Sequence, residues 1–295
     1  MASTDILSAN VQNMLQLRRF ISDIANRAKF GGLRHALSVD SLTLPSLFVV
    51  SLPRSFSSYS YLLTRAALRL REPEFTTFGE ILNCGRFHRG DAPSGAVPQR
   101  YFIRQEQDQE GFRRATTLLG RIVEVRGFAY KDVVQPFAVA AWLHGRREFR
   151  ILHIRRNLAD VAMAMLELKW LYPAGAASPT TIEPMLAGLV LADNALAQLP
   201  AVRIEYDDIV RDGTALSAAL SRLYPKHEFP SIRFHNPRYG VECAKTMSRR
   251  NSPDYREIER RIAELATNLS SRGMRDTFNS PAADFQPSKC FIPSP

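Results

Sequence analysis

The stretch SLFVVSLPRSFSSYSYLL, residues 46–63, decides the architecture. Its apolar run over 47–52 reads as a short buried strand, and Pro53-Arg54-Ser55 ends it. A helical pattern follows from about Ser57 to Leu70. A helix starting at Ser57 would turn its unpaired N–H groups and positive dipole end toward any anion beside the turn. Arg54 adds a forked cationic donor, and Ser55, Ser57 and Ser58 add hydroxyls. The same residues also suit a plain strand-to-helix turn with one serine as cap. The stretch alone leaves both open. It does not fit a nucleoside-triphosphate loop, because the G-x-x-x-x-G-K-[ST] pattern is absent and a bulky Phe56 stands in the middle.

Outward from this turn, strands alternate with helices. RIVEVRGFAY (121–130) reads as a strand, residues 134–143 as a helix, and EFRILHIRRN (148–157) as a strand entering a polar corner. Helices are expected over 101–119, 158–172, 180–198, 214–224 and 253–271. AVRIEYDDI (201–209) begins as a strand, and 225–252 reads as irregular. Residues 71–100, with seven glycines and prolines among them, read as a long loop of the kind that carries function. The alternation predicts an α/β fold, a central parallel sheet flanked by helices. The expected organisation is a helical extension over 1–45, an α/β domain over 46–275 and an irregular tail over 276–295.

The 295 residues carry a net charge of +10, which favours anionic partners. The basic residues are dispersed, so no nucleic-acid tail is expected. Cys84, Cys243 and Cys290 lie far apart without CxxC spacing, so the expected compartment is the reducing cytoplasm. The first ten residues lack the layout of a signal peptide, and no apolar run approaches the ~20 residues of a membrane span. A soluble protein is expected. Residues 10–30 carry Met14, Leu17, Ile21 and Ile24 at helical spacing, with Arg18, Arg19, Arg27 and Lys29 opposite. This suits a helix packed on the body, or a peripheral membrane contact.

In open α/β sheets, ligands bind beyond the carboxyl ends of the strands. The second polar corner supplies Arg155, Arg156 and Asn157 there, with Asp160 one turn into the next helix, suited to the dipole and to orienting an arginine. Two cationic corners at two strand ends suit a ligand with two separated phosphate-type groups.

These residues resemble the sulfotransferases. FVVSLPRSFSSYSYL is similar to their 5′-phosphosulfate loop, FRILHIRRNLADVAMAM to their 3′-phosphate motif, VRIEYDDIVRD to a later Tyr-Glu/Asp-Asp stretch, and FTTFGEILN to the Gly-Glu segment of bacterial carbohydrate and glycolipid sulfotransferases. The resemblance spans about residues 46–212. It implies transfer of a sulfuryl group from 3′-phosphoadenosine 5′-phosphosulfate (PAPS) to an acceptor hydroxyl. Arg54, Ser55, Phe56, Ser57 and Ser58 would form the phosphosulfate loop, with Arg156 and Asp160 at the 3′-phosphate. Glu80 would be the acceptor base, unless it only caps a helix starting near Ile81, and His88 is the second candidate. Lys131 or Arg126 would add charge at the sulfuryl group. The sequence departs from the family pattern at Phe56 (often Gly), Ala129 (often Lys), Leu158 (Pro) and Ala164 (Ser). It also lacks the C-terminal Arg-Lys-Gly motif, for which Arg249 and Arg250 are the nearest substitutes. The histidines show no metal-ligand spacing, and no metal is expected. Phe128, Tyr130, Phe137, Trp142 and Trp170 read as core. Two other readings stay open: a non-catalytic nucleotide- or glycan-binding relative, and a basic protein that contacts membrane or nucleic acid.

Overall fold

A computed structural model describes residues 43–73, 78–83, 102–167, 182–211, 214–227, 229 and 239–271. Helix 10–30, residues 1–42 of the extension, the tail, His88, Trp170 and His235 lie outside the described residues.

Among the described residues, four strands form one parallel sheet in the order β2-β1-β3-β4: β1 (Leu47–Ser51), β2 (Ala129–Asp132), β3 (Arg150–Arg155) and β4 (Val202–Glu205). The helices are α1 (Ser57–Leu68), α2 (Gln109–Ile122), α3 (Pro136–Leu143), α4 (Leu158–Glu167), α5 (Ile182–Ala197), α6 (Tyr206–Arg211), α7 (Thr214–Leu223), α8 (Tyr239–Arg250) and α9 (Pro253–Ser271). A 3-10 turn spans Ile81–Asn83. The central parallel sheet flanked by helices is therefore as the sequence predicts. None of the described helices is long and apolar enough to cross a membrane.

The pleat explains why β1 is apolar from Leu47 to Val50. Phe48 and Val50 face one layer, where they pack with Leu119, Val139, Val161, Leu189 and Ile258. Leu47 and Val49 face the other, against Tyr61, Leu63, Leu68, Leu216 and Leu220 of α1 and α7. Both faces are covered, so every β1 residue is buried. Tyr130 is buried, and Phe128, Phe137 and Trp142 pack at the edge of the first layer, as expected for core aromatics.

The helix expected over 101–119 begins only at Gln109, and two elements differ more deeply from the sequence reading. The expected strand over 121–130 is instead the end of α2, a connection and β2. The peptide N–H of Val123 still bonds to the Leu119 carbonyl, which continues the helix, and Val125 is exposed. Gly127, at φ 78°, then turns the chain into β2. The second correction is α8, inside the stretch read as irregular. Its described side chains hold the body by ion pairs: Arg249 reaches Glu167 and Arg250 reaches Asp160. Met247 on the same helix is exposed, so its apolar residues do not all pack on the body.

Gly79 fixes the chain before Glu80. Its φ is 69°, and an added Cβ would lie 2.7–2.8 Å from the ring of Tyr61. That ring is fully buried, and its hydroxyl donates to the Ala129 carbonyl at 3.2 Å. Gly145 has a similar φ of 75° with open space around it. Gly145→Ala is expected to cost about 1 kcal/mol, from backbone strain alone. Gly79→Ala adds a steric clash, and its cost is expected to exceed 2 kcal/mol. Urea denaturation of the two variants beside the parent chain measures the difference; equal losses would mean that Tyr61 yields freely.

Candidate functional site

In a β2-β1-β3-β4 sheet, successive connections leave β1 in opposite directions, so a crevice opens at the carboxyl ends of β1 and β3. Polar groups gather there because the strands below are buried and the chain becomes hydrophilic only where they end.

At the end of β1, Arg54 and Phe56 both adopt left-handed backbone, at φ 63° and 65°. Such a conformation costs roughly 1–2 kcal/mol per non-glycine residue and persists where surrounding contacts hold it. For Phe56 those contacts are aromatic. Its ring centroid lies 4.8 Å from that of Tyr59 and 6.1 Å from that of Tyr206, edge-on to the latter. The ring thus packs toward the end of β4. Phe56 occupies the N-cap of α1 without a side-chain cap bond, so the helix opens without a side-chain cap. Ser55 and Ser57 are buried, and Arg54 is exposed at the mouth. The Ser55 hydroxyl donates to the Pro53 carbonyl at 3.4 Å, and that of Ser60 donates to the Phe56 carbonyl at 3.2 Å.

Arg156, at the end of β3, is buried. Its Nη1 donates to the backbone carbonyl of Arg54, and its Nη2 donates to Thr246 Oγ1 at 3.2 Å. The guanidinium carbon lies 4.0 Å from the Tyr206 ring centroid. Burial, together with Arg249 and Arg54 nearby, pulls its pKa down; Tyr206 and Asp160 act in the opposite direction. Asp160 is fully buried and accepts from Arg250 Nη2 at 2.5 Å and Nε at 3.2 Å. Its Oδ2 also lies 4.0 Å from Arg156 Nε. Arg250 reaches Asp207 at 3.3 Å as well, and Arg249 makes a bidentate pair with Glu167 at 2.5 and 2.6 Å. The two arginines of α8 therefore stand at this corner with carboxylates already on them. Asn157 starts α4 by accepting the Ala159 N–H at 2.8 Å.

The third wall is the end of β2. Lys131 is buried, donates to Ser58 Oγ at 2.8 Å and forms an ion pair with Glu80. Glu80 precedes the 3-10 turn, but its carboxylate is turned to Lys131 and to the Asn83 side chain, which donates at 2.6 Å. Lys131, Glu80 and Ser58 thus form one chain of contacts into the serine loop. Arg126 is elsewhere: it donates to the Thr43 carbonyl at 2.6 Å, before β1 begins. His153, in the middle of β3, is buried, which pushes its pKa down to about 4. Among the described residues no cluster of His, Cys, Asp or Glu could hold a metal ion.

The sequence reading missed Thr246, the ring of Tyr206 and Asp132. Asp132 is buried beside Lys131, and its Oδ1 accepts the Val134 and Gln135 N–H groups at 3.0 and 2.8 Å. Four buried side-chain atoms have no hydrogen-bond partner among the described residues: Ser51 Oγ, Asp132 Oδ2, His153 Nδ1 and Arg156 Nε. Three of the four stand at the carboxyl ends of β1, β2 and β3, where a bound polar group would satisfy them.

No family model matches the chain, and no curated protein sequence matches it. Among solved structures, a sulfotransferase domain from the curacin biosynthetic pathway is similar at 15% identity and a TM-score of 0.40, covering 77% of this chain and 98% of that one.

Burial, and to a lesser degree Glu80, raises the Asp132 pKa from 3.8 to about 7. Between these values the unfolded chain has lost its proton and the folded one keeps it. Asp132 therefore removes stability as pH rises from about 4 to about 7, and no more above that. Asp132→Asn lacks this linkage. Relative to the parent, the variant is expected to gain up to about 4 kcal/mol between pH 4 and pH 8, read from denaturation midpoints at each pH. A parallel pH dependence of the two chains would place the ionised carboxylate in the folded state throughout.

Proposed function

We propose that this protein is a sulfotransferase that uses PAPS as co-substrate and sulfates an acceptor hydroxyl. The observation that carries the reading is the bond from the Arg156 guanidinium to the Arg54 carbonyl. It joins two cationic strand-end corners across one crevice, which suits a ligand with a 5′-phosphosulfate and a 3′-phosphate. The Arg156 Nε and Ser51 Oγ atoms, buried without partners among the described residues, fit such a ligand.

In this reading the 5′-phosphosulfate lies on the opening turn of α1, against Ser55, Ser57 and Ser58, and the 3′-phosphate lies against Arg156. Asp160 does not touch it; its carboxylate orients Arg250 and Arg156. Sulfuryl transfer, like phosphoryl transfer, runs in line through a loose transition state. As the acceptor oxygen bonds to sulfur, the bond from sulfur to the bridging oxygen breaks. The electron pair stays on the 5′-phosphate of the leaving 3′-phosphoadenosine 5′-phosphate. Arg54 and Lys131 offset the charge that develops there. Arginine holds its proton at neutral pH, so Arg54 acts by charge alone. Glu80 takes the acceptor proton, and His88 is the alternative base. The acceptor is a carbohydrate, glycolipid or small-metabolite hydroxyl, and the reaction is placed in the cytoplasm.

3′-Phosphoadenosine 5′-phosphate at millimolar concentration is expected to raise the thermal unfolding midpoint. Transfer of label from [³⁵S]PAPS to acceptors in cell extract is expected to fall about 100-fold or more in Arg54→Ala and in Glu80→Gln. Arg54 is exposed, so its variant keeps the fold. Absence of any stabilisation would defeat the reading. Nucleotide binding without transfer would leave a non-catalytic relative.

A further inference from the structure

Lys131 is shared between two partners that belong to different halves of the proposed reaction. On one side is Ser58 Oγ, in the first turn of α1, where the loop meets its anion. On the other is the Glu80 carboxylate. The pair is sheltered from water. The lysine side chain is 1% exposed, and that of Glu80 is 12% exposed. The lysine's backbone N–H is tied to the Gly79 carbonyl at 3.1 Å, and the Phe78 ring centroid lies 5.6 Å from Nζ. Asp132, the next residue, faces the Val134 and Gln135 N–H groups instead.

We infer that Glu80 and the anionic co-substrate compete for the Lys131 ammonium, so that nucleotide binding itself releases the base. The inference rests on the sulfotransferase reading and adds a coupling within that site. An anion against the opening turn of α1 lies within reach of the ammonium already bonded to Ser58. In so sheltered a place, one positive charge cannot neutralise both the carboxylate and the ligand. Without nucleotide, Lys131 and Asn83 hold Glu80. With nucleotide, Lys131 moves its bonds toward the ligand, and Glu80 turns to the acceptor. The site then keeps its base occupied until the sulfuryl donor is present.

The coupling is read from binding alone. Calorimetric titration with 3′-phosphoadenosine 5′-phosphate is expected to give about 5-fold or greater tightening in Glu80→Gln. Glu80→Ala should also tighten, which rules out a new amide bond as the cause. Lys131→Met weakens binding. In the Lys131→Met/Glu80→Gln double variant, which removes both charges of the pair together, the gain from Glu80→Gln should largely vanish. Unchanged or weaker binding in Glu80→Gln overturns the inference. So does a gain that persists undiminished without Lys131, because Glu80 would then act by simple repulsion. If the parent chain does not bind the nucleotide, the sulfotransferase reading itself fails; if it binds and the cycle shows no coupling, only the competition fails.

Discussion

The buried guanidinium of Arg156 is the constraint around which the crevice is arranged. Taking an arginine out of water costs several kcal/mol unless its donors find partners. Here the partners come from separate parts of the chain. One donor holds the carbonyl of Arg54 after β1, another holds Thr246 on α8, and the flat face lies on Tyr206 after β4. Displacing any of these pieces would expose or orphan a buried charge. Tyr206 carries the same demand one step further, because the edge of Phe56 rests against it. That contact helps to explain how a phenylalanine holds left-handed backbone in a turn where glycine would be free of strain.

The charges around this arginine are layered. Asp160 is buried directly behind it and is held chiefly by Arg250, which in turn reaches Asp207 at the start of α6. Arg249 pairs with Glu167 at the far end of α4. The α8 helix is therefore fastened at both ends of α4 by its last two residues. Such a fastening is strong where the carboxylate is buried, as for Asp160, and weak where it is half exposed, as for Glu167. The position of Thr246 under Arg156 is fixed mainly by the Arg250–Asp160 pair.

Much of this was legible in the residues, and the failures share a physical cause. β1 and β3 are buried on both faces, so their apolar runs and polar ends stood out and brought Arg54 and Arg156 to one crevice. β2 is only four residues long and ends in Lys131-Asp132. The alternating valines at 123 and 125 upstream mimic a strand, although Val123 closes a helix and Val125 is exposed. Placing the strand there put Ala129 near its end and hid the strand-end character of Lys131 and Asp132. α8 was missed for a different reason: the ion pairs that hold it join residues some 80 to 90 positions apart, outside any local window. The role of Tyr206 was equally non-local, since it depends on a ring meeting a guanidinium from another strand.

The departures from the sulfotransferase pattern look different once side chains are placed. Ala129 and Lys131 lie one pleat repeat apart on the same face of β2. An ammonium from position 131 reaches the serine loop from the strand's end, and Tyr61 bonds to the backbone of Ala129 instead. Ala164 is buried in α4 without a hydroxyl, while Thr246 brings a hydroxyl to Arg156 from α8. The ammonium thus comes from two residues further along the same strand, and a hydroxyl comes from a different helix. A hydrogen-bond donor acts on a ligand through the position of its atom, whatever the position of its residue in the chain. The absences at 129 and 164 therefore weigh less against sulfuryl transfer than they do in a one-dimensional reading, and the burden falls on Phe56, whose ring packs on Tyr59 in the first turn of α1 and edge-on to Tyr206.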